Sequence, residues 1–180
     1  MVTHYAYRMD HDTGFAPNPD DGLCTLCGCK TTKVEKWANV GSWIVGIGGN
    51  NTGVPNKLIF AMKISETPLL HQFREANPAR SAYLQGQPDN ARVLVSRQFW
   101  YLGDHAVDLA VSLTHITPRY QEVIAVNEND IATLVAFLKA GFKPGKNGKP
   151  NNPEPKTGEK HKCANHGFQF TFCPRRAKRN

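Results

Sequence analysis

"SWIVGIGGNNTGVPNKLIFAMKIS", residues 42–65, decides more about the fold than any other part of this chain. Its first eight residues read as a buried strand that ends in glycines, and NNTGVPN reads as a turn. KLIFAMKIS is a second strand, because its β-branched and aromatic residues suit a pleated, half-buried surface. GIGGNNTG is rich in glycine, yet nothing after it reads as a helix. Neither dinucleotide-binding nor P-loop geometry is expected.

Outward from this pair, HYAYRM (4–9) alternates around aromatics and predicts a first strand, while Asp10–Gly22 is loop. TTKVEKWANVG predicts a short helix capped by Thr31 or Thr32 and closed at Gly41. TPLLHQFREAN predicts a helix after Thr67 with Pro68 at its first position. ARVLVSRQFWYLG is one strand or two with a bend, and AVDLAVSL is open between helix and strand. NENDIATLVAFLKAGF is the clearest helix, with Asn127 or Asn129 as cap, acids in its first turn and Gly141 as its stop. Strands outnumber helices and the order is irregular. The expectation is α+β: a curved mixed sheet or small β-barrel with a few flanking helices.

The 180 residues fit one domain. Composition breaks after Phe142, where Pro, Gly, Asn and Lys dominate and too little apolar surface exists to order the segment. The expected division is a single α+β domain over 1–142 and a basic extension over 143–180 with a Cys/His-containing terminal strand. Net charge is +7, and it belongs to the extension, since residues 1–138 carry more acids than bases. A basic extension implies phosphate-rich partners, or merely solvated charge. No apolar run reaches a membrane span and the N-terminus lacks a signal-peptide pattern, so a cytoplasmic protein is expected. Five cysteines with no export signal argue for free thiols or metal ligands over disulfides.

The candidate chemistry is concentrated early. CTLCGC supplies Cys24, Cys27 and Cys29, and the extension supplies His161, Cys163, His166 and Cys173. Cys24, Cys29, Cys163 and Cys173 (or His166) form a candidate zinc set, although H-x-C-x-x-H is no standard second half of a zinc knuckle. The same cysteines could equally be small buried apolar groups. In RMDHDTG, continued strand alternation would put Arg8, Asp10 and Asp12 on one face and Met9, His11 and Thr13 on the other. A histidine flanked by carboxylates suits general-base work, and the alternative is a surface histidine between turn-capping acids. Cys24 is a candidate nucleophile if a base lies near it. Phe15, Trp37, Trp43, Phe99, Trp100 and Tyr101 occur with Arg8, Arg97, Asn18 and His11, and such sets grip bases when they do not simply fill the core.

The stretches YRMDHDTGFAPNP, GLCTLCGCKTTK, VGSWIVGIGG, KLIFAMKIS and VLVSRQFWYLG together resemble the family called nucleotide modification associated domain 2. The resemblance runs from Tyr5 to Gly103. Arg8, His11, Asp12, Thr13, Gly14, Phe15, Asn18, Cys24, Thr25, Cys29 and Lys30 match its pattern, whereas Ser42 stands where the pattern has aspartate and Cys27 where a small residue is usual. The resemblance implies association with modified nucleotides or hypermodified DNA bases, largely in phages and bacteria, and names no reaction. The strand layout is also similar to PUA-like barrels, which grip RNA or a flipped base. On this basis the chain is expected to act on nucleotides or nucleic acid. Alternatives are a non-catalytic reader of modified bases and a zinc-stabilised interaction domain. His11, Asp12 and Cys24 are the expected catalytic residues, with Arg8, Thr13, Phe15, Asn18, Thr25, Lys30, Trp43, Arg97 and Tyr101 for ligand binding. The expected cofactor is zinc or none.

Overall fold

A computed structural model of the chain describes residues 2–27, 31–37, 39–80, 87–120 and 122–152. The strands are β1 (His4–Met9), β2 (Asn18–Asp20), β3 (Leu23–Leu26), β4 (Trp43–Gly48), β5 (Leu58–Lys63), β6 (Leu94–Ser96), β7 (Gln98–Tyr101), β8 (Val123–Val126) and β9 (Gly145–Lys146). The helices are α1 (Thr31–Trp37), α2 (Leu70–Ala76) and α3 (Glu128–Gly141), with a 3-10 segment over Val111–Ile116. The fold is mixed α+β, as expected.

Six strands form one mixed sheet in the order β8-β1-β4-β5-β7-β9, and three form a second sheet, β2-β3-β6. In the large sheet β1 runs parallel to β4 and β7 parallel to β9, and the other pairs are antiparallel. The expected barrel does not close: β8 and β9 remain open edges. The reason lies at Arg97, where the chain leaves one sheet for the other. β6 pairs with β3 on one side of this residue and β7 pairs with β5 on the other. The bend read in ARVLVSRQFWYLG is therefore a sheet-to-sheet crossing, so it separates two sheets instead of continuing one.

β4 is buried along its whole length and sits between two cores. Val45 and Ile47 join Trp100, Leu113 and the α3 residues Ile131, Leu134 and Leu138 on one face of the large sheet. Ile44 lies on the other face with Tyr7, Phe60 and Tyr101, against Cys24, Leu26 and Leu94 of the small sheet and Val34 and Trp37 of α1. A third cluster, Leu23, Cys27, Val93, Val95, Leu70 and Phe73, packs α2 on the far side of the small sheet. The stack is thus helix, large sheet, small sheet, helix.

Local chemistry explains most boundaries. Asn127 caps α3, its side chain accepting from the Asp130 amide at 2.9 Å, as read from sequence. α2 begins two residues after Pro68, because Glu66 and Leu69 bridge to Val95 and Arg92 and hold the preceding chain extended. β2 and β3 fall partly inside the segment expected to be loop. Asp21 and Gly22, both with positive φ, make the two-residue hairpin that pairs Asp20 with Leu23. Residues 143–152 pack on the body despite their composition. They do so with polar contacts: the Asn147 amide donates to Tyr101 O at 2.8 Å, and Asp104 and Lys149 exchange hydrogen bonds. Apolar burial was the wrong criterion for this segment.

Gly46 is required by packing: a Cβ there would collide with the Phe60 ring and come 2.8 Å from Met9 Sδ. Gly46→Ala is expected to cost about 1–3 kcal/mol of stability, measured by urea unfolding. An unchanged midpoint would contradict this packing account.

Candidate functional site

The motif RMDHDTGF does not continue as a strand. β1 stops at Met9, and the chain bends at Asp10. The expected alternation is therefore wrong beyond Met9: Asp12 turns inward and is fully buried, while His11 is exposed. The two acids flanking His11 consequently do different work.

Asp12 is a structural hub. Its Oδ1 accepts from Tyr101 Oη at 2.6 Å, and its Oδ2 accepts from the Asn151 amide at 3.1 Å and from Asn151 Nδ2 at 2.8 Å. Its own backbone pairs with Asn152, the Asp12 N donating to Asn152 Oδ1 at 2.9 Å and the Asn152 N donating to Asp12 O at 2.8 Å. Burial, reinforced by the Asp12 charge, pushes the Tyr101 hydroxyl well above its ordinary value, so it stays a donor at neutral pH. Gly14, at φ +75°, leaves room for Pro150, whose Cγ a Cβ would crowd at 2.5 Å. Residues 150–152 thus form a strap across the motif.

Asp10 instead faces the surface. Its Oδ2 lies 3.1 Å from His11 Nδ1, and its Oδ1 accepts from Asn51 Nδ2 at 2.7 Å. Asn152 Nδ2 donates to Asn51 O at 3.0 Å, so the strap also ties the Asn50–Thr52 turn to the motif. A carboxylate on Nδ1 orients the ring and leaves Nε2 available outward, as a general base needs.

Beside this pair, at the carboxyl ends of the parallel strands β1 and β4, lies a cleft in two adjoining parts. One, of about 220 Å³, is lined by Arg8, Met9, Asp10, Gly49, Asn50, Asn51 and Tyr120. The other, of about 510 Å³, is lined by Arg8, Asn50, Asn56, Arg119 and Tyr120. Arg8 is fixed in place: its Nε donates to Pro118 O at 3.1 Å and its Nη2 to Asn56 Oδ1. Asn56 reaches it from a left-handed backbone, φ +62°, which asparagine tolerates. Tyr120 also has positive φ, +50°, which is costly for an aromatic residue, and 85% of it is exposed. Among the described residues neither Arg8 nor Arg119 pairs with a carboxylate. Two permanent, unneutralised cations therefore share one cleft.

The other expected site residues are dispersed. Cys24 is buried between the sheets, where burial pushes its thiol well up and the Arg80 guanidinium offsets only part of that, so it is no thiolate at neutral pH. Asn18 holds Arg80 through its Oδ1 and donates to Gly14 O at 2.9 Å. Thr25 is buried on β3, Thr13 is half-buried beside Asp12, and Phe15 packs toward α2. Trp43 lies on the opposite face of the large sheet, stacked on Trp100 at 6.2 Å. Arg97 is exposed and paired with Glu66 at 3.1 Å. Tyr101 serves Asp12. Lys30, Cys29, Cys163 and Cys173 lie outside the described residues. Of the candidate zinc set only Cys24 is described, and Cys27 faces a different core from it. Among the described residues no group of three or more His, Cys, Asp or Glu could hold a metal, and no helix is long and apolar enough to cross a membrane.

Sequence reasoning missed Arg119, Tyr120, Asn50, Asn51, Asn56, Asn151 and Asn152. None sits in a recognisable motif, and topology alone unites them.

Residues 1–81 match the family model described as nucleotide modification associated domain 2. The resemblance carried by the motif is therefore borne out over that segment, and the family's name associates it with nucleotide modification. No curated protein and no solved structure matches the chain. The matched segment contains Arg8, Asp10, His11, Asp12 and the asparagines at 50, 51 and 56. Arg119, Tyr120 and the strap lie beyond it.

Asp12→Asn would place an amide NH2 where the side chain now meets only donors. It is expected to lower stability by about 1–3 kcal/mol, with increased hydrogen exchange at Asn151 and Asn152. Unchanged stability and exchange would show that the hub does not hold the strap.

Proposed function

We propose that the cleft binds a nucleotide unit and that the His11–Asp10 pair handles a proton on it, in the service of nucleotide or base modification. The single observation that carries this reading is the juxtaposition of two guanidinium groups, neither meeting a carboxylate among the described residues, with an exposed aromatic ring and, bonded to the Asp10 of the cleft wall, a carboxylate-oriented histidine. Guanidinium groups suit phosphate, the Tyr120 ring suits a base face, and Asn50, Asn51 and Asn56 offer amides for a base edge or sugar. The family match to residues 1–81 supports the same substrate class. His11, with Asp10 on Nδ1, would take or give a proton through Nε2.

Two kinds of variant separate binding from chemistry. Arg119→Gln and Tyr120→Ala should each weaken nucleotide binding about tenfold, as loss of one charged contact or one stacking face implies. His11→Ala should bind within about threefold of the parent, while mass-spectrometric detection of modified nucleotide product falls by about 100-fold or more. Unaltered affinity in the first two contradicts the cleft, and undiminished product in the third contradicts the dyad.

A further inference from the structure

The two parts of the cleft differ in charge. The larger is lined by two arginines, two asparagines and a tyrosine, with no acid. The smaller contains Asp10, with His11 bonded to it. A phosphate is drawn more strongly to the first, because in the second the Asp10 carboxylate offsets the Arg8 charge. Arg8, Asn50 and Tyr120 belong to both, so they form the seam between a phosphate compartment and a chemistry compartment.

The walls are also exposed: Asn50, Asn51, Asn56, Arg119 and Tyr120 all lie on the surface. A site for a free small molecule typically encloses most of its ligand. This one is an open, basic groove with a protruding aromatic residue, the arrangement that holds single strands by backbone charge and base stacking. The sequence beyond Asn152 adds seven Lys/Arg against two acids, which favours a polyanion over a single phosphate by counterion release.

We infer that the ligand of this cleft is a single-stranded nucleic acid segment, not a free mononucleotide. Its backbone lies along Arg8 and Arg119, one base stacks on Tyr120, and the adjoining nucleotide is presented to Asp10 and His11. This inference rests on the nucleotide-binding reading above and narrows its substrate class.

The test is a calorimetric length series on the full chain: dTMP, dTTP, the dinucleotide, dT3, dT8 and a blunt duplex of equal length. Affinity should rise about 30-fold or more from dTMP to dT8, with most of the gain by three nucleotides, as added stacking and phosphate contacts imply. The duplex should bind more weakly than dT8. In Arg119→Gln the slope of log K against log salt for dT8 should shrink by about 0.7. Equal or tighter binding of dTMP or dTTP would overturn the strand inference and leave the nucleotide reading standing. Preference for the duplex would also overturn the inference. If dT8 binds equally well to Arg119→Gln and Tyr120→Ala, the strand is held elsewhere on the chain and the inference fails. No binding by any member would remove both readings.

Discussion

One buried carboxyl group sets the geometry on which the rest of this site depends. Asp12 gathers three donors from two distant parts of the chain, Tyr101 on β7 and Asn151 near the end of the described residues. A buried acid without such partners is strongly disfavoured, so satisfying Asp12 forces the motif loop, the large sheet and the strap together. With the backbone of Asp12 also paired to Asn152, the residues before it have little freedom. Asp10 and His11 must emerge toward the surface at the end of β1. The placement of the His11–Asp10 pair is thus a consequence of where Asp12 is anchored.

The second constraint comes from strand direction. β1 and β4 are parallel neighbours, so their carboxyl ends open on the same side. The two loops that leave those ends supply Asp10 and the asparagines at 50 and 51. Arg8 reaches from β1 to Pro118 and Asn56, drawing the segment with Arg119 and Tyr120 to the same place. The cleft is built from three separate stretches of chain held by one guanidinium group. That economy also leaves the large compartment without an acid, which is what gives the groove its charge partition.

Much of this fold was legible in the residues. The strands at 4–9, 43–48 and 58–63 and the helix at 128–141 announce themselves through aromatic alternation, β-branched content and a capped 3.6-residue period. The Asp21–Gly22 hairpin carried a local signal too, but it lay among prolines and acids that read as loop. Other features left no local trace. A strap of Pro and Asn orders itself by hydrogen bonds to a carboxyl group 139 positions away, which composition cannot express. Arg119 and Tyr120 acquire meaning only because Arg8 binds Pro118 O. Of the motif residues, Arg8 and Asp10 line the cleft and His11 is bonded to Asp10. Asp12 is buried as support, and Trp43 and Arg97 stand elsewhere because sheet faces and crossings decide where an aromatic or a cation ends up.

The basic groove at the ends of β1 and β4 is the ligand site we propose for this chain. Amide and side-chain NMR of the isotopically labelled protein, titrated with dT8, tests it most directly. Chemical-shift changes are expected at Arg8, Asn50, Asn56, Arg119, Tyr120 and His11, with Trp43 on the far face of the sheet unmoved. Shifts confined to residues outside the groove, or none at saturating oligonucleotide, would contradict it.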